Sequence, residues 1–228
     1  MQSSDYYCRT NDRSDDWSTH SADPGFSPIK ALMVAARPFL AKGRRVLDIG
    51  CQGGHQLAFV RQDYKEAVGV DIASYGSMWS LFPDVEFLVH NVDAAPLPFA
   101  EQHFDCIICT AVLEHVFDVF GLMREISRVL RHSGTVLLAV PNIGFYRHVV
   151  DLLRGRVPRT GASIYPFGEK DGWDGQHLHY FTPNELILLM RLFNLRTTHS
   201  LHPGRLPWLK RILPSLLDSG IYFIGEKT

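Results

Sequence analysis

Arg45-Val46-Leu47-Asp48-Ile49-Gly50-Cys51-Gln52-Gly53-Gly54-His55 is the stretch on which the fold turns. Val46, Leu47 and Ile49 supply the apolar run of a parallel strand covered on both faces. Gly50, Gly53 and Gly54 allow a sharp bend and a close approach of backbone to a ligand. A helix expected over about residues 56–62 would aim its free N–H groups and positive dipole end back into that bend. Such a pocket suits a nucleotide-like or carboxylate-bearing ligand.

Outward from this stretch, apolar strands alternate with helical patterns. Residues 66–72 read as a second strand ending at Asp71, and Ser74 is placed to cap a short helix to Leu81. Residues 85–89 and 104–110 read as the third and fourth strands, and residues 119–130 as an amphipathic helix. Residues 134–140 form a fifth strand. The alternation implies a parallel sheet with right-handed crossovers. Ahead of it, residues 28–42 show helical spacing that Pro38 should kink or end.

After Pro141 the regularity breaks. Residues 143–180 carry six Gly or Pro positions between Pro158 and Gly175, with Tyr165, Phe167 and Trp173 among them, and read as a long functional loop or lid. Thr182-Pro183-Asn184-Glu185 is a capping box with Pro at the first helical position, opening a helix over 186–193. Residues 195–201 and 221–224 read as strands, the last suited to a sheet edge. Residues 1–27 are rich in Ser and Asp and read as a mobile arm, or, through their aromatics, as part of a cover over a ligand.

Length and composition set outer bounds. A chain of 228 residues accommodates one sizeable α/β domain with short additions. A formal net charge of −1 argues against a broad basic nucleic-acid footprint. No run of about 18 apolar residues suggests a membrane span, and residues 1–5 lack the pattern of a secretory signal. Four cysteines in a chain of this length fit a reducing cytoplasm, not a disulfide framework. Cys106 and Cys109 have the spacing of a redox or zinc motif, but on a strand they point to nearly opposite faces, so they read as core residues.

Polar residues gather at successive strand ends. Gly50 to Gly54 follows the first strand, and Asp71 closes the second about 20 residues on, where a carboxylate can take a ribose diol. Asp93 follows the third strand and Thr110 closes the fourth. In doubly wound sheets, ligands bind beyond these carboxyl ends.

At this point the sequence resembles the class I S-adenosylmethionine-dependent methyltransferases, in particular the small-molecule branch that includes ubiquinone-biosynthesis-type O-methyltransferases. The resemblance is carried by residues 46–54, Gly69-Val70-Asp71-Ile72, residues 91–99, residues 104–116 with Leu113-Glu114-His115-Val116, and residues 130–138. It spans about residues 45–140 in the family's order, with a weaker match at Gln176-His177-Leu178-His179-Tyr180-Phe181-Thr182.

The resemblance implies a doubly wound, mostly parallel, seven-stranded Rossmann-like sheet with an antiparallel last strand and helices on both faces. Together with the composition and spacing read above, this divides the chain into an arm and cap helix over residues 1–42 and a cofactor-binding domain over residues 43–228 carrying the lid at about 143–180. The resemblance also implies S-adenosylmethionine as cofactor and S-adenosylhomocysteine as product. Gly50, Cys51, Gln52 and Gly54 would line the methionine portion, with Asp48 holding its ammonium side. Asp71 would take the ribose hydroxyls, Ile72 would pack on the adenine, Asp93 would accept its amino group with Ala94 alongside, and Thr110 would lie near the sulfonium. One departure stands out: the family usually has glycine where Gln52 stands, and an inward-pointing Gln52 would crowd the ribose or the methionine tail.

Methyl transfer from a sulfonium needs an aligned nucleophile and, for a hydroxyl, a group that takes its proton. His115, His177 and His179 are the candidates. No Asn-Pro-Pro-Tyr-like segment follows the fourth strand, which disfavours base amino methylation in nucleic acid. No aspartate ends the fourth strand with further acids for a divalent ion, so no metal is expected. The reading is therefore metal-independent methylation of a small-molecule acceptor, at oxygen. Two rivals remain: a non-catalytic protein of the same fold, and a nicotinamide-dependent oxidoreductase, which would prefer a G-x-G-x-x-G bend.

Overall fold

In a computed structural model the described residues are 28–160, 177–204 and 207–228. The expectations for the arm, and for Tyr165, Phe167 and Trp173, lie outside them.

Helix α1 (Pro28–Ala36) runs into a 3-10 turn, Arg37–Phe39, where Pro38 ends the α-helical ladder. Then follow β1 (Arg45–Ile49), the one-turn α2 (Leu57–Val60), β2 (Glu66–Asp71), α3 (Gly76–Trp79), β3 (Val85–Val89) and β4 (Phe104–Thr110). Helix α4 (Val119–Val129) leads directly into β5 (Leu130–Pro141), and α5 (Tyr146–Leu153) follows. The chain closes with α6 (Pro183–Leu192), β6 (Leu195–Ser200), α7 (Pro207–Ile212), α8 (Pro214–Leu217) and β7 (Gly220–Lys227).

The seven strands form one sheet in the order β3-β2-β1-β4-β5-β7-β6. The first five pair in parallel, and β7 pairs antiparallel with both β5 and β6. The order reverses between β1 and β4, and the turn after β1 opens at that switch point.

Strand alternation divides the core in two. Leu47, Ile49, Val70, Ile107, Cys109 and Leu138 face one layer, where α4 lays Leu122, Met123, Ile126 and Val129 and α6 adds Leu186 and Met190. Val46, Ala67, Cys106, Ile108 and Leu137 face the other, against Leu32, Met33 and Ala36 of α1 and Leu57 and Val60 of α2. Each fully buried aliphatic side chain contributes about 1.5–3 kcal/mol. Cys106 and Cys109 thus sit in opposite layers, so the CxxC spacing makes no metal or redox pair.

Three details correct the sequence reading. The last strand is not an edge: β7 lies between β5 and β6, with Ile221, Phe223 and Ile224 buried, and β6 takes the edge. Ser74 caps nothing; Tyr75 occupies the N-cap of α3 without a side-chain bond. Within 143–180 a helix does form, α5, none of whose side chains is buried. The capping box of α6 is present, with the Glu185 carboxylate accepting the Thr182 N–H at 2.9 Å. Among the described residues no helix is long and apolar enough to cross a membrane.

Candidate active site at the carboxyl ends of the strands

The bend after β1 is tied to β2 by its backbone. Gly50 and Cys51 both donate to the Val70 carbonyl, at 2.8 and 3.1 Å. Gly50 has φ +72°, and a Cβ there would lie 2.3 Å from Cγ2 of Val112, in the loop after β4. Gly54 also takes a left-handed φ of +83°. Gln52 does so too, with φ +44°, although it carries a side chain; that side chain is exposed and does not fill the bend. The expected helix over 56–62 is cut to the single turn of α2 followed by a 3-10 turn, Arg61–Asp63. One turn carries little macrodipole. The charge of the site is set by carboxylates instead.

Asp48, on β1, is fully buried, and neither of its carboxylate oxygens has a hydrogen-bond partner among the described residues. Burial first, and the neighbouring Asp71 second, push its carboxyl well above the usual carboxylate range. Asp71 is held more favourably: its Oδ2 accepts the Gln52 N–H at 2.9 Å and its Oδ1 the Ala73 N–H at 3.1 Å. Burial still raises its pKa against those backbone donors. Two acids packed this way strongly favour a cationic group between or beside them.

Cys51 is buried, its thiol raised by burial and then by Asp48 and Asp71. Its sulfur packs over Gly69, 2.8 Å from where a Cβ on that residue would sit, so only its backbone is offered to a ligand. Ile72 is half-buried and Ala94 exposed, after β2 and β3. Asp93 lies at the same end of the sheet as Asp71, but its Oδ1 already accepts the N–H groups of Phe117 and Asp118, at 2.9 and 3.3 Å. It thereby ties the loop after β3 to the start of α4. Thr110, at the tip of β4, is buried and accepts from Nε2 of Gln56 at 2.9 Å.

Sequence reasoning missed Gln56, Glu125 and Arg128. Gln56 fixes Thr110 from across the bend. Glu125 and Arg128 on α4 hold the loop after β3 by its backbone, through Leu97 N–H to Glu125 at 2.8 Å and Arg128 to the Phe99 and Leu97 carbonyls at 2.7 and 3.0 Å. Their one sequence signal was a polar stripe on an otherwise apolar helix.

The three histidines meet at one place. The segment before α6 is laid on the loop after β4: the Leu178 and His179 N–H groups both reach the Glu114 carbonyl, at 2.7 and 3.3 Å. Nε2 of His179 bonds the Val116 carbonyl at 2.9 Å. This lashing sets the His177 ring against that of His115, with centroids 4.7 Å apart and planes at 70°. Nδ1 of His177 lies 2.5 Å from Oγ1 of Thr160, and Nε2 of His115 lies 4.0 Å from the buried Glu114 carboxylate. His115 and His177 are thus paired, while His179 is occupied as a tether.

Comparison with known proteins gives the same picture. The methyltransferase-domain family profile matches residues 26–200. A bifunctional methionine biosynthesis protein of Rhodopirellula baltica is 26% identical over 160 residues, 65% of this chain and 25% of its own length. The ubiquinone biosynthesis O-methyltransferase of Xanthomonas campestris is 31% identical over 122 residues, 51% of this chain and 50% of its own. The chain spans about half or less of the length of these curated relatives. Among solved structures, a Burkholderia thailandensis 1,6-didemethyltoxoflavin-N1-methyltransferase, with bound 1,6-didemethyltoxoflavin and S-adenosylhomocysteine, superposes with TM-score 0.63 over 99% of this chain and 87% of its own, at 20% identity. That likeness establishes the fold. With most of its length inside the family profile, the chain belongs to the methyltransferase-domain family.

Proposed function

We propose that the protein methylates a hydroxyl oxygen of a small-molecule acceptor. The observation that carries this reading is the His115–His177 pair beside the loop after β4. A hydroxyl acceptor must surrender a proton as its oxygen forms the new bond to carbon, and an imidazole takes one near neutral pH. The similarity to a ubiquinone biosynthesis O-methyltransferase points the same way.

The site fits S-adenosylmethionine. The two unpartnered oxygens of Asp48 suit the ammonium of its methionine portion. The glycine positions keep the backbone of the bend open to a ligand, since a Cβ at Gly50 would drive into Val112. We assign the ribose hydroxyls to Asp71, whose oxygens keep lone pairs beyond their bonds to Gln52 and Ala73, the adenine face to Ile72, and the adenine amino group to Asp93 with Ala94 beside it. Gly50, Cys51, Gln52 and Gly54 line the methionine portion by their backbone, and Thr110, oriented by Gln56, faces the reacting end.

When bound, the cofactor supplies a methyl group already activated on a sulfonium. The chain then has to align the acceptor oxygen and take up its proton. We assign the proton to the His115–His177 pair and give His179 the tethering role. The chain reads as an arm and cap helix, residues 1–42, before the cofactor-binding domain, residues 43–228.

The test is transfer of a labelled methyl group to a panel of phenols, carboxylic acids and amines. Labelling of phenols that falls at least about tenfold in His115→Ala and His177→Ala supports the reading. Labelling confined to amines overturns it.

A further inference from the structure

Glu114, His115 and His177 each offer one ligand atom, and these three atoms lie within 4.8 Å of one another. We infer that they form a binding site for a divalent first-row transition ion, of which zinc is the expected occupant.

The donor set is specific. Two imidazoles and one carboxylate suit zinc or iron(II) and not magnesium, which takes oxygen ligands and keeps its waters. Three protein ligands with an open position are the pattern of zinc sites that do chemistry, as opposed to the closed four-ligand sites that only stabilise a fold. The metal-free expectation drawn from the sequence looked for acids grouped at the end of the fourth strand. The donors here come instead from the loop after β4 and from the segment before α6, which no local spacing connects.

The site is also built in advance. Glu114 is 1% exposed, and a divalent cation beside a carboxylate so buried is held in a low dielectric, where attraction is strong. The two donor-bearing segments are fastened together by Leu178 N–H and His179 N–H on the Glu114 carbonyl and by the His179 ring on the Val116 carbonyl. Thr160 lies 2.5 Å from Nδ1 of His177, so an ion bound through Nε2 would meet a ring already oriented from its other side. Metal-bound histidines are oriented in this manner, through their second nitrogen. With bonds of about 2.0–2.2 Å to each ligand, the donor atoms must draw in by about 1 Å. Rotation of the two partly exposed imidazoles provides that movement.

The place of the site gives it a role. Glu114 and His115 lie on the same loop as Val112, which stands against Gly50, and on the acceptor reading above an ion held there would stand beside the acceptor. A divalent cation lowers the pKa of a hydroxyl facing it; with the ion bound, His115 and His177 serve as its ligands and the acceptor's proton leaves to solvent, and only in the ion-free protein do they take that proton themselves. That role rests on the acceptor reading above. The binding of the ion does not.

The test uses the full chain, stripped with a chelator and dialysed, with cobalt(II) alone added and its visible absorption followed, then zinc as competitor. We expect one equivalent to bind, with the absorption of a low-coordinate site. His177→Ala should weaken binding by at least about tenfold, and Thr160→Ala by about tenfold, as for loss of an outer partner. Glu114→Gln should weaken it as well; if that variant does not fold by circular dichroism, His177→Ala and His115→Ala decide. Binding unchanged in both histidine variants, or no binding of either ion, overturns the site. S-adenosylmethionine is titrated into the stripped protein in parallel. Retained cofactor binding without metal binding removes the metal site alone, whereas metal binding without cofactor binding removes the cofactor assignments and leaves the metal site standing.

Discussion

The backbone N–H of Gln52 donates to Oδ2 of Asp71 at 2.9 Å, joining the glycine bend to the tip of β2 as one unit. The residue that departs from the family pattern therefore serves the site through its main chain, while its side chain stays exposed. Gln52 also accepts from Nε1 of Trp79 at 2.6 Å through its carbonyl, which fixes the bend from the α3 side.

Asp71→Ala removes the acceptor of the Gln52 and Ala73 N–H groups together with the carboxylate assigned to the ribose. S-adenosylmethionine affinity should fall by about 1.5–3 kcal/mol, the range for hydrogen bonds to a charged group, or about tenfold to 150-fold. Asp71→Asn keeps one acceptor oxygen for Gln52 and should lose less. Calorimetric titration measures both. Unchanged affinity in the alanine variant would remove Asp71 from the cofactor site.

Gly50→Ala meets two obstacles: a left-handed φ of +72° and the Cγ2 of Val112 at 2.3 Å. The first costs about 1–2 kcal/mol for a residue with a Cβ, and the second about 1–3 kcal/mol of overpacking. Adding Val112→Ala should recover the second part and not the first. Urea unfolding of the two single variants and the double reads the coupling directly. Strict additivity would mean that the loop after β4 does not press on the bend.

The sheet was legible in the sequence because its signals are local. Buried runs such as residues 46–49 and 106–109 read as strands wherever they occur, and Thr182 with Glu185 marks the start of α6 within four residues. Strand order at the far edge was not legible. Placing β7 between β5 and β6 depends on antiparallel pairing of Leu137 with Ile224 across the whole chain, which no pattern inside residues 221–224 announces. The strand-end acids were visible one by one, but their partners were not: Gln56 on Thr110, or Phe117 and Asp118 on Asp93, are contacts between segments distant in sequence. The same holds for His115 and His177, each an ordinary histidine until the fold sets their rings together.

Asn142 illustrates such a distant contact in the scaffold. Fully buried at the end of β5, it donates through Nδ2 to the carbonyls of Ser215 and Asp218, at 3.0 and 2.8 Å, and accepts the Gly144 N–H at 3.0 Å. It pins α8 and the turn into β7 against the sheet. Asn142→Ala leaves those groups without a partner and should cost about 2–3 kcal/mol, measured by urea unfolding. Hydrogen exchange should quicken first in residues 214–219. A loss confined to other segments would show that the pin is elsewhere.

Asp48 makes stability and ligand binding depend on pH in opposite senses. Its carboxyl is raised in the folded protein by burial first and by Asp71 second, against about 3.9 in the unfolded chain. Between those two values the folded state holds a proton that the unfolded state has shed, so stability falls as pH rises through that window and then levels. Asp48→Asn cannot ionise. Its stability relative to the unmodified protein should therefore climb from about pH 4 upward, read by urea unfolding at a series of pH values. S-adenosylmethionine favours the ionised carboxylate, because its ammonium needs the charge. Binding at a pH below the folded pKa should thus release a proton from Asp48, seen as a dependence of the binding enthalpy on the ionisation enthalpy of the buffer. Asp48→Asn should abolish that release and weaken the cofactor even as it steadies the fold. A stability difference that does not vary with pH would mean that Asp48 titrates in the folded protein as it does in the unfolded chain, and would remove the burial effect.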